Sequence, residues 1–294
     1  MKRSLWVLLC LIGAAAPASA QAWRTVHTTR GTANGTDSVA VRMRYAMGEL
    51  TVAAAPAGVL YDVRMRYDRR KGMALARFDE ATRTLTIESD SSDARARLGL
   101  RRFAFGSDDD GDGEHDHARA SIALAREVPL ALALRVTAAQ ANLDFTNLTL
   151  SDLSVRSTAS DTRVTFGTRN PVRLPELEIR GVATEVAIRQ LGNANAERVD
   201  LRVIAGELEV DVSGEWTGTM DVRADVLLGA LTLRVPNDVG VRLEWNGMLG
   251  ELAAPGFVVR DGARFSPNWD TAARKLTVEA DARLGGLTVE WIER

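Results

Sequence analysis

The chain has 294 residues, 46% hydrophobic and 26% charged, with a formal net charge of −2 at pH 7 and a single cysteine. That length is ample for a packed core. The near-neutral balance gives no reason to expect a nucleic-acid partner, and one cysteine excludes a disulfide framework within the chain.

Residues 1–20 read as a secretory signal. Lys2 and Arg3 supply the charged start, Leu5 to Ile12 the apolar run, and Ala18-Ser19-Ala20 a small-x-small cleavage site. Val7-Leu8-Leu9-Cys10 lacks the small residues of a lipobox. Cleavage near Ala20 removes Cys10 and two positive charges, taking the formal charge from −2 to −4. No later stretch reaches the roughly 20 apolar residues that a bilayer span needs. The expectation is export to the periplasm or cell surface without stable membrane insertion.

Val39-Ala40-Val41-Arg42 and Leu50-Thr51-Val52 predict two short strands, because strict alternation puts one face in a core and the other in water. Tyr61 to Tyr67 and Arg83 to Glu88 also alternate but follow no longer period. They are expected to form a small antiparallel cap over an edge that would otherwise invite pairing. Residues 89–118 are rich in charge and poor in core residues. Asp108, Asp110, Asp112 and Gly113 match part of an EF-hand loop, but Arg119 stands where the bidentate glutamate belongs and no helix flanks it. An acidic solvated loop is the better reading, and His115 and His117 have nothing to fix a metal geometry.

From residue 132 one phrase recurs: two aliphatics spaced by one residue, then an arginine. It reads Leu132-Ala133-Leu134-Arg135, Leu153-Ser154-Val155-Arg156, Leu177-Glu178-Ile179-Arg180, Val199-Asp200-Leu201-Arg202 and Met220-Asp221-Val222-Arg223, with starts 21, 24, 22 and 21 residues apart. A second alternating strand follows each. Glycine sits two residues ahead of that second strand at Gly48, Gly206, Gly229, Gly250 and Gly285, as a corner with close backbone approach requires. Such a period means stacked supersecondary units. The expected fold is all-β: a right-handed parallel β-solenoid of about eight two-strand coils with an antiparallel N-terminal cap. An antiparallel β-sandwich is the competing fold, but hairpin signals are scarce beyond Asn34-Gly35 and Asn246-Gly247. The expected divisions are a signal at 1–20, an N-terminal coil, cap and acidic loop at 21–131, and repeats at 132–294 with an excursion at 253–275.

In a solenoid, Arg42 and the five repeat arginines would form one outward column. Arg135, Arg156, Arg180, Arg202 and Arg223 are therefore candidate binding residues for cell-wall or lipopolysaccharide phosphates. Glu178, Asp200 and Asp221 interleave with them, so a solvated face of mixed charge is the competing reading. In the excursion, Phe265 and Trp269 either pack on the rod or stand out as a partner patch.

The C-terminal run resembles the toast-rack domain family, which includes the C-terminal domain of LiaF-type cell-wall-stress proteins and related adhesin-like domains of unknown function. The residues that carry this are Gly247-Met-Leu-Gly250, Ala254-Pro255-Gly256-Phe257, Asp261-Gly262, Ser266-Pro267-Asn268-Trp269-Asp270, Leu276 to Asp281 and Leu284 to Glu290. Gly48 to Val52, followed by Tyr61 to Asp68, is similar to that family's first strand and cap. The resemblance implies a β-rod in the bacterial envelope with no known enzymatic activity and no catalytic residues to carry over. LiaF-type proteins act in envelope-stress signalling through membrane helices that this sequence lacks.

No HExxH, GxSxG or P-loop motif occurs, and no metal-ligand or cofactor motif is recognised. The sequence thus predicts no catalytic residues, no metal site and no cofactor. It points to a non-catalytic envelope module whose partner is an envelope protein or glycan. The alternative is a β-helix polysaccharide lyase or hydrolase, which a coil of about 22 residues would also suit. Against it, aromatics make up only 5% of the chain, which leaves few platforms for stacking sugars.

Overall fold

The computed structural model describes residues 23–32, 38–91 and 117–293. The expected signal segment, the Asn34-Gly35 turn and the acidic residues Asp108 to Asp116 lie outside them. The described residues are all-β, in one large mixed sheet that folds on itself and is nearly barrel-like.

Alternation builds the elements. β1 (Trp23–Gly31) precedes β2 (Val39–Tyr45) and β3 (Gly48–Ala54). In β2, Val39, Val41, Met43 and Tyr45 are buried, while Arg42 and Arg44 between them are exposed. Next come β4 (Val59–Asp68), β5 (Gly72–Asp79), β6 (Thr84–Ser91) and β7 (Arg119–Leu124). The repeat region opens with β8 (Leu130–Thr137), β9 (Ala139–Asp144), β10 (Leu150–Thr158), β11 (Asp161–Thr165), β12 (Leu174–Val182) and β13 (Thr184–Arg189). The long strands β14 (Ala196–Asp211) and β15 (Gly218–Pro236) follow. The chain ends with β16 (Val239–Gly247), β17 (Leu252–Ala253), β18 (Val258–Arg260), β19 (Ala263–Phe265) and β20 (Arg274–Ile292).

Two parallel ladders organise these strands. The first runs β6, β2, β8, β10, β12, then the leading halves of β14, β15 and β20, then β16. The second runs β7, β3, β9, β11, β13, the trailing halves of β14, β15 and β20, then β17. Inward aliphatics from both ladders share one core, with Leu143, Val155, Val164, Leu177 and Leu201 all at most 1% exposed. The expected cap is present in altered form. β4 lies antiparallel between β1 and β7, and β5 lies antiparallel on β6, but β6 itself extends the first parallel ladder.

Where a strand leaves the first ladder for the second, the chain turns a tight corner. Gly206, Gly229 and Gly285 stack there in register. A Cβ on Gly229 would lie 1.7 Å from the Gly206 carbonyl oxygen, so no other residue fits. Three rungs without this glycine instead hold Ala138, Ala159 and Ala183 at φ of 49° to 51°, in the left-handed region. Behind Ala159, a buried hydroxyl cluster fills the corner. Ser157 Oγ lies 2.7 Å from Thr162 Oγ1 and 3.1 Å from Thr184 Oγ1. At another bend Asn170 both donates to the Leu150 carbonyl at 2.8 Å and accepts from its N–H at 2.9 Å.

Two corrections concern register and order. Val199 stands opposite Val222, so the fourth step of the repeat is 23 residues and Met220 is not its start. β20 is inserted between β15 and β16, so the last blocks are not stacked in chain order. The excursion before it returns as the antiparallel pair β18 and β19, of which β19 also pairs with β16 at the end of the sheet. Phe265 and Trp269 pack edge to face there, with ring centroids 5.5 Å apart.

Candidate functional site

The outer face of the first ladder carries two columns of side chains. Direct register aligns Arg44, Arg135, Arg156, Arg180 and Arg202 on five successive strands. Parallel neighbours are about 4.8 Å apart, so the guanidinium groups form a close series. Four of the five candidate arginines therefore share a column. The fifth, Arg223, does not: Arg202 faces Asp225, while Arg223 faces Asp200 in the second column. Arg42 likewise falls in the second column, opposite Ala133, and Arg44 takes its expected place. That column continues Ala133, Ser154, Glu178, Asp200, Arg223 and Glu279.

Electrostatics divides this face. Glu178 pairs with Arg180 and lies 3.8 Å from Arg156. Asp225 lies 2.8 Å from Arg202 and 3.6 Å from Arg223. Asp225 and Glu279 together hold the Arg223 guanidinium above its usual range. Arg180, Arg202 and Arg223 are thus engaged within the chain. At the other end of the face the second column is small, with Ala133 and Ser154. A hollow of about 390 Å³ opens there, lined by Arg42, Arg44, Arg135, Ser154, Arg156 and Glu88. Four arginines meet one glutamate around it, and Glu88 lies 3.6 Å from Arg44. Among the described residues, neither Arg42 nor Arg135 has an ion pair. Sequence reasoning missed the parts of Arg42 and Arg44 because the columns depend on inter-strand register. The small residues Ala133 and Ser154 were the available signal.

Among the described residues, no group of three or more His, Cys, Asp or Glu side chains is placed to hold a metal ion. No helix among them is long and apolar enough to cross a membrane. His27 lies 3.1 Å from Asp62 on an exposed face and accepts from Arg64 Nε at 3.3 Å.

The ladders, corners and basic outer face define an all-β protein of short stacked strands. Residues 20–183, more than half the chain, match the family model of the N-terminal domain of toast_rack (DUF2154), and the chain belongs to that family. No curated protein matches it. Similar solved structures include a candidate cell adhesion protein from Clostridium sporogenes, at 12% identity and a TM-score of 0.42, covering 92% of this chain and 100% of that one. A candidate adhesin from Parabacteroides merdae has 9% identity and a TM-score of 0.38, covering 93% of this chain and 97% of its own. One from Bacteroides fragilis has 10% identity and a TM-score of 0.33, covering 92% and 97%.

Proposed function

We propose that this protein is an exported, non-catalytic module of the bacterial envelope that binds an anionic glycan or phosphate-bearing polymer on the outer face of its first ladder. In this reading the two ladders are walls of one right-handed parallel solenoid of about eight coils, and residues 132–294 act as a stiff rod rather than a reaction vessel. The observation that carries it is the basic hollow. Guanidinium groups form paired, charge-assisted hydrogen bonds to phosphate and carboxylate. Arg42 and Arg135 are the arginines there without an ion pair among the described residues, and Ala133 and Ser154 leave room above the strand for a ligand group. The pitch of the column suits a repeating anion better than a single one.

Titration of the exported chain with a heparin oligosaccharide and with inorganic polyphosphate tests this, with neutral dextran as control. The expected result is binding that weakens with salt and falls about tenfold in the double variant Arg42→Ser/Arg135→Ser. Arg180→Ser, already paired within the chain, should change it far less. Absence of binding at low salt, or binding indifferent to the double variant, overturns the proposal.

A further inference from the structure

The corner edge between the two ladders carries a charge pattern whose acidic half anion binding does not use. In five successive rungs an arginine just before the corner is followed five residues later by a carboxylate or amide just after it. The pairs are Arg44 and Glu49, Arg135 and Gln140, Arg156 and Asp161, Arg180 and Glu185, and Arg202 and Glu207. The second members are aligned in register just as the arginines are. A basic column therefore runs down one flank of the corner and an acidic one down the other. Among the described residues, Asp161, Glu185 and Glu207 have no ion pair.

Between and below these flanks the ridge is apolar. Val182, Ile204, Leu227, Leu228, Leu284, Met248 and Leu249 are 38% to 78% exposed, seven of the twelve large exposed hydrophobics among the described residues. Leu228 faces Leu284 in register, and the Leu249 N–H donates to the Arg283 carbonyl beside it. The ridge is thus continuous across the last rungs, where Asp225 and Asp281 replace the arginines on one flank and Ala230 and Gly286 replace the carboxylates on the other.

We propose that a second copy of this chain docks along this edge, side by side and pointing the same way, about a twofold axis parallel to the stacking direction. Such an axis sets each rung against its own copy and exchanges the flanks. Arg156, whose own carboxylate contact is the longest of the three at 3.8 Å, then meets Asp161 of the other copy. Arg180 and Arg202 keep their pairs with Glu178 and Asp225 and face Glu185 and Glu207 across the axis, and the leucine ridges close on each other. A twofold axis across the stack would instead oppose arginine to arginine, so charge selects the parallel arrangement. The acidic flank also repels an anionic lipid surface, which argues against a membrane as the occupant. The edge spans about 34 Å over eight rungs and about 16 Å across five residues, hence about 500 Å² per copy. That lies near the lower limit for a specific interface, so the pairing is weak and reversible.

Sedimentation equilibrium of the exported chain tests this at concentrations up to about 100 µM and at about 0.05 M and 0.5 M salt. A monomer–dimer equilibrium that weakens at high salt is expected. Leu228→Asp, at an exposed site, abolishes it without altering the melting curve. Asp161→Arg weakens it about tenfold, because two symmetric contacts turn repulsive. The swap Arg156→Glu/Asp161→Arg restores it. Arg42→Ser leaves it unchanged, which separates this edge from the anion hollow. A chain that stays monomeric throughout overturns the proposal, as does a dimer indifferent to both Leu228→Asp and Asp161→Arg. Binding of anionic vesicles lost in Leu228→Asp, with no self-association, overturns it in favour of a lipid surface.

Discussion

Substituting alanine for Gly229 tests the packing of the corner directly. Gly229 has φ of +134°, and a Cβ there would lie 1.7 Å from the Gly206 carbonyl oxygen and 2.8 Å from its carbon. Cβ contacts essentially never fall under 3.0 Å, so β14 and β15 must part by more than an ångström. The obstacle is backbone, which has no rotamer to change. A non-glycine residue in that region of φ costs about 1–3 kcal/mol. Loosening one or two ladder hydrogen bonds adds about 1 kcal/mol each. A total near 4 kcal/mol is a large share of the roughly 5–15 kcal/mol that stabilises a folded domain. It corresponds to a fall in Tm of about 8–16 °C. Gly58→Ala is the control. Gly58 also has positive φ, +78°, but nothing lies within 4 Å of its Cβ position, so only the conformational cost of about 1–2 kcal/mol applies. Thermal unfolding followed by circular dichroism compares the two variants. If Gly229→Ala melts no lower than Gly58→Ala, the corner glycines are not in contact and the register argued for the long strands is wrong.

Ala159→Gly should raise stability by about 0.5–1 kcal/mol in the same assay, because Ala159 sits at φ 49° where glycine is unstrained. Phe166→Ala should lower it by about 3–5 kcal/mol, since Phe166 is buried with its ring 5.6 Å from that of Phe145. The turns that lead into and out of β5 should loosen in acid. The Arg70 N–H lowers the Asp68 pKa, and the Thr82 and Ala81 N–H groups lower that of Asp79. A lowered folded-state pKa gives stability that is present above the unfolded value, near 3.9, and is lost as pH falls through the folded value. Amide exchange at 69–71 and 80–82, corrected for intrinsic rate, should therefore quicken relative to the core below about pH 4. Asp79→Asn should abolish that acid dependence at 80–82.

Much of the architecture was legible in the residues. The alternation at Leu132-Ala133-Leu134-Arg135 correctly separates buried from exposed positions, and the recurring glycines mark the corners. The arginine column was legible as a tendency and misplaced in detail. Arg42 and Arg223 were assigned to it, whereas Arg44 belongs and both of the others lie one column over. The reason is that alternation has a period of two. A slip of two residues leaves every side chain on its proper face, so the pattern around Met220 and Val222 is equally satisfied by either register. The basic hollow was illegible for the same reason, because its four arginines meet only once β2, β8 and β10 are aligned.

Local chemistry in this chain settles the repeat strands, which way their side chains face and where the backbone must bend, since these depend on steric and hydrophobic demands a few residues apart, but it left β1, β5 and β7 unmarked. The order of the strands does not follow from it. β20 lies between β15 and β16 because its 19 residues, with Gly285 at the matching corner, run the full length of β15 and pair with all of it but Leu227, while β16 and β17 offer only 9 and 2. The longer surface is buried, and the broken one is left at the end under the β18–β19 hairpin. That choice compares segments more than 30 residues apart, and only the assembled core makes the comparison.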